Sequence, residues 1–184
     1  MNQVILLTGP VGAGKSSVAE AICERFDRMV HVDLDLLHHA VKAGYRHPWL
    51  DDPQAAEQRV LAVRNAAAMT REAIALRYAV VIDGIALAAD AAIYRERLDG
   101  IESNVHFVLL LPTLEATLDR DAAREPSNPD RVRALHETFT QQSSEGALPG
   151  AVIDSTGDEN AAMTADRVQD VVASGEALFI AGSA

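Results

Sequence analysis

Short apolar runs and longer amphipathic stretches take turns along the chain. Val4–Thr8 is a compact apolar run of strand character. Lys15–Phe26 follows with Val18, Ala21, Ile22 and Phe26 on one stripe, the spacing of a helix laid on a core. Met29–Val32 reads as a second strand that ends at Asp33, and Leu36–Ala43 as a short helix stopped by Gly44. Tyr45–Leu50 is a loop containing Pro48; Asp52 is an N-cap, Pro53 suits a first helical position, and the helix they start extends to about Arg77. Ala79–Asp83 is a third strand bounded by Gly84, followed by a helix over Ala89–Leu98. Val105–Leu111 is apolar apart from His106, as suits a strand buried on both faces. Helices are predicted over Leu114–Arg124, Arg131–Gln142 and Asn160–Ala173, with a polar loop Glu125–Asp130 and a fifth strand Ala151–Asp154 between them. The pattern predicts an α/β fold of three layers, with a five-stranded parallel sheet flanked by helices. No repeat, low-complexity tract or linker divides residues 1–184, so a single domain is expected.

The turn between the first strand and helix is not ordinary. Gly9-Pro10-Val11-Gly12-Ala13-Gly14-Lys15-Ser16 fits G-x-x-x-x-G-K-[ST], the P-loop, in its proper strand–loop–helix context. Glycines permit dihedrals and close approaches that a Cβ blocks. Successive amides then form an anion nest, completed by the positive end of the helix. Lys15 adds a mobile cation for the β- and γ-phosphates, and Ser16, followed by Ser17, a hydroxyl for Mg²⁺. ATP with Mg²⁺ is the expected cofactor pair.

Charge and composition narrow the partners. The 184 residues carry a formal net charge of −11, and no basic stretch exceeds two residues, which argues against a nucleic-acid partner. Only two lysines occur, and one of them is Lys15. Cys23 is the lone cysteine, so neither a disulfide within the chain nor a Cys/His zinc pattern arises. Val4–Leu7 and Ala177–Ala181 are too short to span a membrane, and nothing resembles a signal peptide. A cytoplasmic protein with no membrane partner is expected, as monomer or homodimer.

Other motifs select among P-loop proteins. Asn-Lys-x-Asp, the guanine-reading motif, is absent: Lys42 is followed by Ala43-Gly44-Tyr45. The chain resembles the P-loop small-molecule kinases, a group that includes shikimate and gluconate kinases, chloramphenicol phosphotransferase and zeta-toxin nucleotide-sugar kinases. The resemblance rests on Gly9–Ser16, the acidic strand end Asp33-Leu34-Asp35, Asp83-Gly84, Arg120-x-x-x-Arg124 and Asp154-Ser155-Thr156. Arg120–Arg124, Asp130-Arg131-Val132 and Val152–Thr156 are most similar to the chloramphenicol phosphotransferase pattern. The resemblance implies transfer of the γ-phosphate of ATP to a hydroxyl of a small molecule, such as an antibiotic, sugar or metabolite. A nucleotide-sugar acceptor, or a nucleotide-binding module without an acceptor, are the alternatives.

Asp33 and Asp35 lie at the carboxyl end of a strand, where α/β sheets bind ligands. One can accept the proton of the attacking hydroxyl while the other helps hold hydrated Mg²⁺. The shikimate kinase pattern implies Asp35 as base and Asp33 near the metal; the chloramphenicol pattern favours Asp33. A plain N-cap role for Asp35 is the competing reading. Asp83 occupies a Walker-B-like position suited to a metal-bound water, and Gly84 allows a close approach. The resemblance implies that Arg120 stacks on adenine, that Arg124 clamps phosphates, and that Asp154, Ser155 and Thr156 pass the adenine edge. Residues 120–133, with Arg131, resemble a closing lid. The acceptor is expected over residues 36–78, where Tyr45, Arg46, His47, Trp49, Arg59, Arg64 and Asn65 are the polar or aromatic candidates.

Overall fold

The computed structural model describes residues 3–123 and 127–183. Six strands and seven helices occur among them: β1 Val4–Thr8, α1 Lys15–Cys23, β2 Met29–Asp33, α2 Leu34–His39, α3 Pro53–Ala75, β3 Ala79–Asp83, α4 Ala88–Arg97, β4 Val105–Leu110, α5 Leu114–Ala122, α6 Pro129–Ser144, β5 Ala151–Ile153, α7 Ala161–Ala173 and β6 Leu178–Ile180. The strand order is β2-β3-β1-β4-β5, all parallel, with β6 antiparallel to β4.

Two apolar layers sandwich the sheet. Val4, Leu6, Val80, Ile82 and Phe107 face α3 and α4 on one side; Ile5, Leu7, Val81, Val108 and Leu110 face α1 and α7 on the other. That double burial is why β1, β3 and β4 are apolar without alternation. Register carries the strand ends to one rim: Asp33 pairs with Asp83, and Asp83 with Leu7. No helix among the described residues is long and apolar enough to cross a membrane.

Three departures from the expected elements have clear causes. α2 begins at Leu34 rather than Leu36, because the Asp33 carboxylate accepts from the amides of Asp35 (2.8 Å) and Leu36 (3.2 Å). α6 begins at Pro129, ahead of the expected Arg131, with Asn128 Oδ1 accepting from the Arg131 amide at 3.1 Å. The sheet also gains a sixth strand. β5 lies on Val108–Leu110 of β4, while Ala177–Ile180 takes the earlier part of the same edge, where Phe107 N–H donates to the Ala177 carbonyl at 2.8 Å.

Candidate active site

The loop from Gly9 to Ser16 has the backbone of a phosphate cradle. Gly9, Gly12 and Gly14 have φ of 150°, 84° and 88°. A Cβ on Gly9 would strike the Leu110 carbonyl, and one on Gly12 the Thr117 carbonyl, so the loop is seated directly on β4 and α5. Pro10 to Ala13 form its turn, with Val11 and Gly12 at the centre, closed by the Ala13 amide donating to the Pro10 carbonyl at 3.2 Å. Gly14 caps α1 without a side chain, leaving the first amides of the helix for an anion. Lys15 Nζ donates to the Gly9 and Pro10 carbonyls, each at 3.0 Å.

Beneath the cradle lies a three-residue network. Ser16 Oγ donates to Asp83 Oδ2 at 2.7 Å, and His31 Nε2 meets Asp83 Oδ1 at 2.6 Å. Asp83 is 2 % exposed. Burial alone would push its carboxyl up; the hydrogen bonds from His31 and Ser16 overcome this and hold it below the usual value. The same contact raises the His31 imidazole above its ordinary value. Sequence reading passed over His31, although it lies two residues before Asp33 and so on the same face of β2.

Asp33 is the helix cap; Asp35, in the first turn of α2, lines a cleft of about 390 Å³. The other walls come from α2 (Leu34, His38), α3 (Arg59), the loop residues Pro48 and Trp49, Ile85 and Leu87 after β3, and Arg131, Ala134, Leu135 and Thr138 on α6. Thr8 Oγ1 pins the segment after β3 by donating to the Ala86 carbonyl and accepting from the Ala86 amide. Gly84 serves a packing need: a Cβ there would stand 2.5 Å from Leu34 Cβ. Trp49 is held by a run of rings, His39 on Tyr45, Tyr45 against His47, and His47 stacked on Trp49 at 4.4 Å. Arg131 caps that run, its guanidinium 3.9 Å over the Trp49 ring. Tyr45 therefore supports the cleft through His47 and is not itself on its wall. Arg64 is elsewhere, in a separate depression with Val41, Gly44 and Gln58. Asn65 is exposed, and Arg46 pairs with Asp52 at 3.3 Å.

A second hollow, about 270 Å³, adjoins the cradle along Gly12–Gly14, Ser17, Arg120, Ser155 and residues 158–161. Arg120 Nη2 donates to the Ser155 carbonyl at 2.9 Å. Ser155 Oγ is buried there with no partner. Asp154 and Thr156 are absent from this wall because they bond each other; Thr156 Oγ1 also accepts from the Thr113 amide at 2.8 Å. Arg124 lies outside the described residues. Asp121, also passed over in the sequence, accepts from Ser127 Oγ (2.8 Å) and the Asn128 amide (3.0 Å) and so ties α5 to the start of α6.

These features fit a nucleoside triphosphate with Mg²⁺. The cradle is one that side chains would fill, Ser155 offers an unused hydroxyl beside it, and Ser16 and Asp83 supply the oxygen donors a hard cation requires. Among the described residues no group of three or more His, Cys, Asp or Glu side chains converges as a metal site.

A P-loop between β1 and α1, at the carboxyl rim of a β2-β3-β1-β4-β5 sheet, defines a P-loop nucleotide-binding fold. The chain belongs to the AAA domain family, whose model matches residues 4–149. No curated protein matches it in sequence. Its fold is similar to that of the Deinococcus radiodurans tunicamycin resistance protein, with TM-score 0.68 and 20 % identity, over 97 % of this chain and 98 % of that one. Shikimate kinase from Acinetobacter baumannii in complex with shikimate is similar at TM-score 0.65 and 22 % identity, over 96 % of both chains. The Mycobacterium tuberculosis APS kinase in complex with AMPPNP and APS is similar at TM-score 0.63 and 16 % identity, over 94 % of this chain and 98 % of that one.

Proposed function

We propose that the protein is a phosphotransferase that moves the γ-phosphoryl group of ATP to a hydroxyl of a small molecule. The observation that carries this reading is the place of Asp35. It stands on the wall of a cleft two residues from Asp33, whose strand partner Asp83 is bonded to Ser16 of the cradle. A phosphate site and an acceptor-sized cleft thus share the carboxyl rim of the sheet, with Asp35 on the wall of the cleft, and this supports the reading. The solved structures of similar fold named above include kinases of small molecules, which supports the reading.

Each side chain has a role in it. Lys15 leaves its carbonyl partners to follow the phosphates, and Ser16 and Asp83 hold Mg²⁺. Bound Mg²⁺ and ATP supply the electrophilic phosphorus and a neutralised leaving group. Asp33 has Oδ1 committed to α2, which leaves one oxygen for the hydration shell of the metal. Asp35 orients the acceptor hydroxyl and takes its proton as the oxygen bonds to the γ-phosphorus and ADP departs. Arg120 and Ser155 frame the base, and Arg124, outside the described residues, clamps the phosphates as the resemblance implies.

The test is incubation with ATP, Mg²⁺ and a panel of small alcohols, read as a phosphate mass shift. Asp35→Asn should lower transfer by about 10²- to 10⁴-fold, the usual worth of a general base, with nucleotide binding retained. Unchanged turnover in that variant removes Asp35 as base. Slow ATP hydrolysis with no phosphorylated alcohol points instead to a nucleotide-binding module.

A further inference from the structure

The cleft holds two arginines, and only one of them has charge to spare. Arg59 Nη2 donates to Asp90 Oδ2 at 2.6 Å. Asp90 is 4 % exposed, and the same oxygen accepts from the Leu87 amide at 2.9 Å, so the carboxylate is fixed in the first turn of α4. Arg131, by contrast, has an aromatic ring as its partner and a buried Nε with none. Asp35 is the remaining carboxylate on the wall, and burial lowers the His38 imidazole toward its neutral form. Arg59 is therefore neutralised by Asp90, and Arg131 is the guanidinium on the wall that no described carboxylate bonds. The surface of the cleft is otherwise built mainly from Leu34, Trp49, Ile85, Leu87 and Leu135.

We propose that Asp90 determines acceptor specificity: by neutralising Arg59 it makes the cleft select an uncharged or singly anionic alcohol with an apolar body and one carbonyl or carboxylate oxygen for Arg131. A dianionic acceptor would meet a single unpaired guanidinium and stand beside the like charge of Asp35, which disfavours it against a neutral or singly charged one. The apolar walls favour a ring over a polyol, whose hydroxyls would lose water without gaining partners. The inference rests on the phosphotransferase reading only for the presence of a hydroxyl at Asp35; the charge and shape preferences belong to the cleft itself.

Trp49, the sole tryptophan, is on the cleft wall, so its fluorescence reports occupancy directly. With a non-hydrolysable ATP analogue saturating the cradle, three probes of one body are titrated: para-(hydroxymethyl)benzamide, the corresponding benzoate and the corresponding phenyl phosphate. The first two should bind at least about tenfold more tightly than the dianion. In Asp90→Asn, which frees Arg59, that gap should shrink to about threefold or reverse. Equal or tighter binding of the dianion by the unmodified protein overturns the proposal, as does an unchanged gap in a folded Asp90→Asn. If that variant does not fold, the order in the unmodified protein decides. Mass spectrometry with ATP then separates the two readings. The expected binding order without phosphate transfer removes the phosphotransferase, and transfer to the dianion in preference removes the specificity claim alone.

Discussion

Two carboxylates two residues apart at the end of β2 serve different partners. The oxygen of Asp33 that accepts from the Asp35 and Leu36 amides makes it a structural residue as well as a candidate near the metal. Asp33→Ala should cost about 1 kcal/mol of stability through the lost cap, while Asp33→Asn retains the cap. Asp35 accepts no such amide bond and is exposed on its helix, so Asp35→Ala should leave the melting temperature almost unchanged while removing transfer. Equal stability losses at both positions in a denaturant titration would contradict this division. His31 has a consequence of its own. Its imidazole is raised above 6.5 by the hydrogen bond to Asp83, so its contribution is complete below that pH and fades as pH climbs through the raised value. Asp83 is lowered from 3.8, so its contribution is present above that pH and fades only as acid reaches the lowered value. Between about pH 6 and pH 8, without metal, the unmodified protein should therefore lose stability relative to His31→Gln as pH rises. His38 and His106, lowered by burial, work in the opposite sense, but equally in both proteins, so the difference in melting temperature isolates His31. A pH-independent difference would remove the ion pair.

The elements differ in how much of their making is local. The P-loop is legible because its backbone requirements fall on consecutive residues: Gly12 both adopts φ 84° and lies against the Thr117 carbonyl of α5. Gly12→Ala should cost about 1–3 kcal/mol through strain and lift the loop from α5, so melting temperature and ATP affinity should fall together; a fall in melting temperature alone would place the clash elsewhere. The start of α3 was also readable, since Asp52 caps it and Pro53 opens it, whereas its end at Ala75 falls short of the expected Arg77. Ala55, Ala62, Ala66 and Thr70 are its buried stripe, and Arg59, at helical spacing from the first two, is on the cleft side, whereas Arg64 is off the stripe and outside the cleft. Other parts depend on distant partners. The rings from His39 to Trp49 meet Arg131 only because α6 crosses the loop, and Asp90 reaches Arg59 only because α3 and α4 are neighbours. β6 is three residues long, below the length at which a period can be read, and is defined by the free edge of β4. Asp33 concealed the start of α2 because it is at once the last strand residue and the cap.

At the scale of the molecule, ligand chemistry and edge stability occupy opposite ends of the sheet. Thr8, Asp33 and Asp83 mark the carboxyl rim, while β6 attaches at Val105 and His106, where β4 begins. Phe179 anchors that attachment: it is 7 % exposed, its ring is 5.7 Å from that of Phe107, and the Arg95 guanidinium covers it at 4.4 Å. Phe179→Ala removes the ring from a packed site and should cost about 3 kcal/mol, lowering the melting temperature by roughly 10 °C in a chain of this size. With a total stability of about 5–15 kcal/mol, the variant remains folded. A ligand that binds only the folded state adds RT ln(1 + [L]/Kd), about 2.7 kcal/mol at a hundredfold excess over Kd. That increment depends on the cradle and not on how stable the rest of the fold is. ATP with Mg²⁺ should therefore stabilise Phe179→Ala and the unmodified protein by the same free energy in denaturant titrations, from different baselines. A smaller increment in the variant would mean that loss of β6 reaches the strand ends through β4, and that the sheet does not insulate its nucleotide rim from its opposite edge.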